Sequence, residues 1–340
     1  MLLDAKFLTR LRGAAPRLYE LLDRWHGLRI LVVGDLTLDE FMTGEVERIS
    51  REAPVPIVRH ELTRQVPGGG ANAVYNFAKL GAMVKVAGLV GKDEQGRTLQ
   101  EVFNTAGVKT MGILVESDRP TVTKTRISAH SRQSVTQQIV RLDRKSDAPP
   151  ALGLQWELAE YIRATVETVD AIVCSDYGDG VLTTPVVEAA LLHSRTIVDA
   201  QKDLHRYHGA TIFTPNLPEA ELAVGYSIPD LPTLERAGWD LLAIAQAQYI
   251  LITRGSDGMS LFDRNGEISH IPAFNRTDVF DVTGAGDTVV AALTLGLAAG
   301  GSAWEATILG NLAASLVIRQ FGTTTTTMAE IKAALAELVA

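Results

Sequence analysis

Asp281-Val-Thr-Gly-Ala-Gly-Asp-Thr288, running straight into the apolar stretch Val289 to Ala299, is the segment on which the reading of this chain turns. Small residues stand where a helix should begin, and Asp287 falls in its first turn. Such a helix mouth offers orphan N–H donors and the positive end of the macrodipole to an anion. A carboxylate there would repel a bound phosphate. It makes sense if Asp287 takes the proton of a hydroxyl that attacks a phosphoryl group held by the glycines. The alternative is ordinary capping by an acidic residue after a glycine-rich loop. The octapeptide alone leaves both open.

Working outward, Arg29-Ile-Leu-Val-Val-Gly34 is a short continuous apolar run, the pattern of a buried parallel strand. Asp35 and Asp39 follow at its C-terminal end, the edge where doubly wound sheets bind ligands. Either can instead cap a turn, and Asp39 is the better ligand candidate. No G-x-G-x-x-G follows, so this is not a dinucleotide fingerprint, and an NAD-dependent oxidoreductase is disfavoured. Ala171–Ser175, Thr196–Asp199, Thr211–Thr214 and Tyr249–Thr253 read as further buried strands, separated mostly by helical stretches. Several end in polar turns: Asp176–Gly180, Asp199–Lys202, Pro215–Glu219 and Arg254–Gly258. The expected fold is therefore α/β, a doubly wound and mainly parallel sheet flanked by helices.

Residues 41–64 and 111–143 have another character, with extended stretches rich in Thr and Val and no helical period. Pro54 and Pro56 suit an edge or protruding ribbon. Together these segments predict a small β-sheet that could close over the strand ends and exclude water. Between them, Pro67-Gly-Gly-Gly-Ala-Asn72 opens an amphipathic helix; the glycines allow close backbone approach and Asn72 can hydrogen-bond sugar hydroxyls. Residues 1–28 are expected to form an N-terminal helical extension, since Leu8, Leu11, Leu18, Leu21, Leu22 and Trp25 recur at helical spacing, and 29–340 the main domain.

The net charge of −8, with no Lys/Arg block, argues against a nucleic-acid partner. No apolar run approaches the roughly 20 residues that span a bilayer. Asp4, Arg10 and Arg12 break up any apolar leader, and the single Cys174 fits a reducing compartment, so a cytoplasmic location is expected. The seven histidines show no metal spacing. The run Thr323 to Thr327 is either a polar loop or a lining for a nucleotide or cation.

A Walker A loop and the H-R-D kinase set are both absent, so any nucleotide chemistry needs another cradle. Gly34-Asp-x-x-x-Asp39, Pro67–Asn72, Asn216-x-x-Glu219, Thr253-Arg-Gly255 and Asp281–Thr288 resemble, in order, the signatures of the PfkB/ribokinase sugar-kinase family over about residues 29–325. Within it the chain is most similar to the D-glycero-β-D-manno-heptose 7-phosphate kinases, through Arg48–Pro56, Thr123–Arg126, Ile139–Asp143, Ser175–Tyr177 and Gly209–Asn216. Two-function members carry a nucleotidyltransferase after the kinase, and the resemblance covers the kinase part.

The resemblance implies a ribokinase-like fold with a β-sheet lid, and transfer of the γ-phosphoryl group of ATP to the anomeric hydroxyl. Asp287 would be the base, and the N–H groups of Gly284, Ala285, Gly286 and Asp287 the anion hole. Asp39, Gly69, Gly70 and Asn72 would hold sugar hydroxyls, with Arg126, Arg141 and Lys202 on the substrate side. Asn216, Glu219, Thr253, Gly255, Asn311 and Gly322 would lie along the nucleotide. Glu219 would hold Mg²⁺ through water, and Asp281 with Thr283 a monovalent cation such as K⁺. A homodimer through the lid is also implied. Two departures bear on the substrate: Asp-Pro-Lys is replaced by Asp199-Ala-Gln201-Lys202, and His130–Gln137 looks like an insertion in the lid. Another sugar or nucleoside kinase of the family, or a non-catalytic sugar-phosphate binder, are the alternatives.

Overall fold

The structure, a computed structural model, describes residues 4–131, 135–275, 279, 281–320 and 324–340. Among them, strands β1 (Arg29–Gly34), β4 (Met83–Gly91), β5 (Lys109–Glu116), β8 (Ala171–Asp176), β9 (Thr196–Ala200), β10 (Ile212–Phe213), β11 (Tyr249–Thr253), β12 (Met259–Asp263) and β13 (Ile268–Ile271) form one sheet. Its order is β13-β12-β11-β10-β9-β8-β1-β4-β5. Pairing is parallel from β5 to β11, and β12 and β13 add an antiparallel edge. From β1 the chain first winds outward to β4 and β5, then returns and winds the other way through β8 to β11. The reversal lies between β1 and β8, so the ends of those two strands frame the crevice where such sheets bind ligands.

β1 shows why the sheet is sandwiched. Ile30 and Val32 point into one core and Leu31 and Val33 into the other, all fully buried. The first core is closed by α1 (Ala5–Asp23), α2 (Gly70–Lys79), α3 (Glu94–Thr105), α8 (Ala285–Ala298), α9 (Ala303–Val317) and α10 (Met328–Val339). The second is closed by α4 (Leu152–Thr165), α5 (Thr184–Ala190), α6 (Leu217–Val224) and α7 (Leu231–Ala245). Helices α8 and α9 are apolar almost all round, as fully enclosed helices must be, and pack on each other. In α1, Leu11, Leu18, Leu21, Leu22 and Trp25 just beyond it are fully buried in the first core, each contributing about 1.5–3 kcal/mol. No helix of the described residues is long and apolar enough to cross a membrane.

A second sheet has the order β3-β2-β6-β7, from β2 (Leu36–Ile49), β3 (Pro56–Gly69), β6 (Val122–His130) and β7 (Gln137–Arg144). Its boundaries differ from expectation in three places. β2 begins at Leu36, only one residue after β1, so Asp39 sits on the small sheet rather than on a turn. Residues 111–116 belong to β5 at the edge of the large sheet, where Ile113 and Leu114 pack toward opposite cores; an extended pattern cannot say which sheet will pair with it. Pro67-Gly68-Gly69 is the end of β3, and the helix starts at Gly70. Of the threonine run, Thr324 donates to Val317 O and Thr327 caps α10 with Glu330, which accounts for these two locally. The 130–137 segment of the lid includes positions outside the described residues, and so does Gly322.

Candidate active site

The crevice is built from the end of β1 outward. Asp35, buried where β1 passes into β2, accepts the backbone N–H groups of Tyr177 (2.8 Å), Asp179 (3.0 Å) and Val181 (3.0 Å). It therefore pins the loop after β8 instead of facing a ligand. Burial pushes its pKa up to about 6, with Asp176 and Asp179 adding to the rise while the Val181 and Asp179 N–H groups oppose it. The pinned loop aims Tyr177 across the crevice.

Asp287 lies in the first turn of α8, 3% exposed. Gly284 precedes the helix at φ +78°, a left-handed turn that brings the chain round into the helix start. Asn72 Nδ2 donates to Asp287 Oδ2 at 2.7 Å, and Tyr177 Oη donates to Oδ1 at 3.0 Å. Burial lifts the Asp287 pKa to about 6; the two donors and the Lys124 ammonium hold it down, and the Asp39 carboxylate pushes it further up. The group is thus ionised at neutral pH yet basic enough to accept a proton. The N–H groups of Gly286 and Asp287 stand in the first turn, beyond reach of any intrahelical carbonyl. That of Ala285 already donates to Val282 O (3.2 Å), so it is a weaker member of the expected anion hole.

On the lid side, Asp39 is 4% exposed and its Oδ1 lies 3.0 Å from Arg126 Nη1. Those two atoms have no hydrogen-bond partner of good geometry. A ligand hydroxyl reaching the pair from the side would supply what each lacks. Gly68 makes room for this carboxylate: a Cβ there would stand 2.6 Å from Asp39 Cγ. Arg126 also lies 5.2 Å from the Phe41 ring centroid. Phe41, Arg64, Arg126 and Ser128 face Asp281 and Thr283 across a cavity of about 640 Å³.

Other expected substrate residues stand elsewhere. Asn72 spends its N–H on Asp287, and its Oδ1 accepts from Asn76 (3.3 Å), so it braces the carboxylate. Gly69 (φ +52°) and Gly70, whose N–H donates to Asp35 O (3.0 Å), form the strand-to-helix junction. Arg141 is tied to Asp143 by two 2.7 Å contacts on β7, a strand exposed along its whole length. Lys202 is exposed beside Gly178.

On the far side of Gly286 is a cavity of about 500 Å³. Asn216, Thr253, Gly255 and Asn311 line it together with Met259, Phe274 and Val289, so its wall mixes apolar and polar groups. Asn311 Nδ2 donates to Pro272 O at 2.8 Å. Asn216 and Glu219 hold each other in a capping box at the start of α6, both contacts 2.9 Å. Burial raises the Glu219 pKa. Thr283 donates its N–H (2.9 Å) and hydroxyl (2.7 Å) to Asp281 Oδ1, closing a tight turn before α8.

Two functional candidates were missed by sequence reasoning. Tyr177 enters the sequence reading only within the stretch Ser175–Tyr177. Asp199, at the end of β9, accepts from Thr214 Oγ1 (3.1 Å), and its pKa is pushed up to about 8 by burial, then by the Asp287 and Glu219 charges. The signal was there: Asp199 ends a buried strand on the ligand edge. No cluster of three His, Cys, Asp or Glu that could hold a metal directly occurs among the described residues.

Comparison with known proteins agrees with this architecture. Residues 29–330 match the pfkB family of carbohydrate kinases. The chain is 43% identical over 313 residues to the bifunctional protein HldE of Pelobacter propionicus, covering 90% of this chain and 63% of that protein. It thus spans slightly less than two thirds of that relative's length. The fold is ribokinase-like: Arabidopsis thaliana ribokinase complexed with ribose and ATP superposes with a TM-score of 0.70 at 19% identity, covering 92% and 99% of the two chains. Escherichia coli phosphofructokinase-2 in complex with potassium gives 0.73 at 19%, with the same coverage. The chain belongs to the pfkB family of carbohydrate kinases and is a phosphotransferase acting on a sugar hydroxyl.

Proposed function

We propose that this kinase uses ATP to phosphorylate the anomeric hydroxyl of D-glycero-D-manno-heptose 7-phosphate, giving the 1,7-bisphosphate. The observation that carries the phosphotransfer reading is Asp287: buried, basic, and set at the mouth of α8 between the lid-side cavity and the cavity beyond Gly286. The sugar sits against Asp39 and Arg126, and ATP against Asn216, Thr253, Gly255 and Asn311. Asp287 takes the hydroxyl proton as the sugar oxygen bonds to the γ-phosphorus. The bond from that phosphorus to the bridging oxygen breaks, and its electron pair leaves with ADP. The N–H groups of Gly286 and Asp287 stabilise the charge on the transferred group.

Mg²⁺ fits the nucleotide side. Asp199 and Glu219 repel one another's ionised forms there, a strain that a hydrated divalent cation would relieve. When bound, it would neutralise phosphate charge. The Asp281–Thr283 turn offers oxygens for K⁺ on the lid side.

The heptose assignment is supported by where the similar stretches fall. Thr123–Arg126 lies on β6, with Arg126 beside Asp39, and Ser175–Tyr177 ends at the base. A different sugar or nucleoside acceptor is the second reading, favoured by Lys202 standing exposed. The test is ADP release over a panel of sugars, sugar phosphates and nucleosides with ATP and Mg²⁺. Heptose 7-phosphate should give the highest kcat/KM; turnover confined to another acceptor would replace the substrate, and binding without turnover would replace the kinase reading.

The lid also supplies a homodimer interface in this reading. Val55, Ile139, Val140 and Leu142 are exposed apolar residues on it. Val140→Glu should yield a monomer by light scattering; an unchanged mass would place the interface elsewhere.

A further inference from the structure

We propose that Tyr177 is a positioning residue for phosphoryl transfer: its phenol fixes Oδ1 of Asp287, from a loop that Asp35 holds by its backbone. The proposal rests on Asp287 being the base.

The geometry divides the work between two donors on two oxygens. Asn72 reaches Oδ2 from α2, and Tyr177 reaches Oδ1 from the loop after β8. A carboxylate held at both oxygens by elements from opposite sides cannot rotate about its last bond, yet each oxygen keeps a lone pair for an incoming proton. The phenol's own place is fixed twice. Asp35 accepts the Tyr177 N–H at 2.8 Å and the N–H groups of Asp179 and Val181 further along that loop, and Lys124 of the lid strand β6 sits 5.3 Å from the ring centroid. Lid and large sheet therefore meet on this ring.

The phenol is also a dependable donor. Burial, with the Asp287, Asp199 and Glu219 charges nearby, keeps its pKa well above the ordinary tyrosine value, so it stays protonated throughout the working range. The charged groups acting on Asp287 are Asp39 from β2 and Asp199 from β9, which disfavour its ionised form, and Lys124 from β6, which favours it. Asp199 and Glu219, on the nucleotide side, raise the Tyr177 pKa alongside Asp287. Against this background the Tyr177 donor keeps Asp287 ionised at neutral pH, and losing it raises the Asp287 pKa.

Tyr177→Phe keeps the ring and its contact with Lys124 and deletes only the O–H. We expect kcat about tenfold lower, KM for ATP within about twofold, and the acid limb of the kcat profile shifted up by about one pH unit, the worth of a hydrogen bond to a charged group. Titration of the Asp287 carboxyl by ¹³C NMR in the substrate-free protein should move the same way. A fall in activity with both titrations unmoved and a lowered Tm would make Tyr177 a packing residue and overturn the proposal. If wild type turned over no acceptor, the kinase reading of the site would fail on its own, and the NMR titration would still decide whether Tyr177 sets the Asp287 carboxylate.

Discussion

Asn72 and Asp287 meet at 2.7 Å, joining the glycine-rich junction behind the lid to the helix that carries the base. The contact is part of a buried chain: Asn76 Nδ2 donates to Asn72 O (3.0 Å), and Thr288 Oγ1 donates to Asn76 Oδ1 (2.9 Å). Asn72→Asp would place a second carboxylate against Asp287. Like charges so close share a proton. Turnover at pH 7 should fall about 100-fold and recover partly at higher pH. A profile identical to wild type would show that the two side chains separate when substrate binds.

Asp287→Asn removes the base and should lower kcat by about 10²–10⁴-fold while ATP still binds, since the cavity beyond Gly286 is untouched. Stability should move the other way. The folded-state pKa of Asp287 is raised from 3.8 to about 6, so the native state holds the extra proton between those values; stability falls as pH rises through that window and the full cost of the ionised group is present above it. The variant should therefore gain about 1–3 kcal/mol at pH 8, with the gain shrinking toward pH 4. Equal melting shifts at both pH values would contradict the burial account.

Glu219→Gln keeps an oxygen for the Asn216 N–H, so the cap of α6 survives and Tm should change by little. The half-saturating Mg²⁺ concentration should rise tenfold or more, and Asp199→Asn should do the same. Mg²⁺ titrations of kcat/KM separate this from a purely structural cap: normal Mg²⁺ dependence with a lowered Tm would leave both carboxylates out of metal binding.

Gly68→Ala would put a methyl group against the Asp39 carboxylate, 2.6 Å from Cγ. Asp39 must then swing off Arg126. KM for the sugar should rise at least tenfold with KM for ATP unchanged, as expected when ground-state substrate contacts alone are lost. Unaltered sugar KM would mean the acceptor does not use Asp39.

Elements dominated by one physical pattern were legible without coordinates. The apolar runs of β1, β8, β9 and β11 announced a buried parallel sheet, and Leu11, Leu18 and Trp25 announced a docked helix. The 111–116 segment was not, because its extended pattern suits either sheet and pairing with β4 decided the matter. Nor was the use of Asp35, since a carboxylate at a strand end reads the same whether it meets a ligand or three backbone N–H groups.

By itself the sequence determined the doubly wound sheet, the glycine-rich helix mouth and the family, because hydrophobic period and local turn chemistry are written in neighbouring residues. Only the tertiary structure decided what surrounds Asp287. Asn72, Tyr177 and Asp287 lie 110 or more positions apart except for the 105 that separate the first two, and no local rule relates them. Winding the chain both ways from β1 brings their elements to one crevice, and burial there turns an ordinary carboxylate into a base.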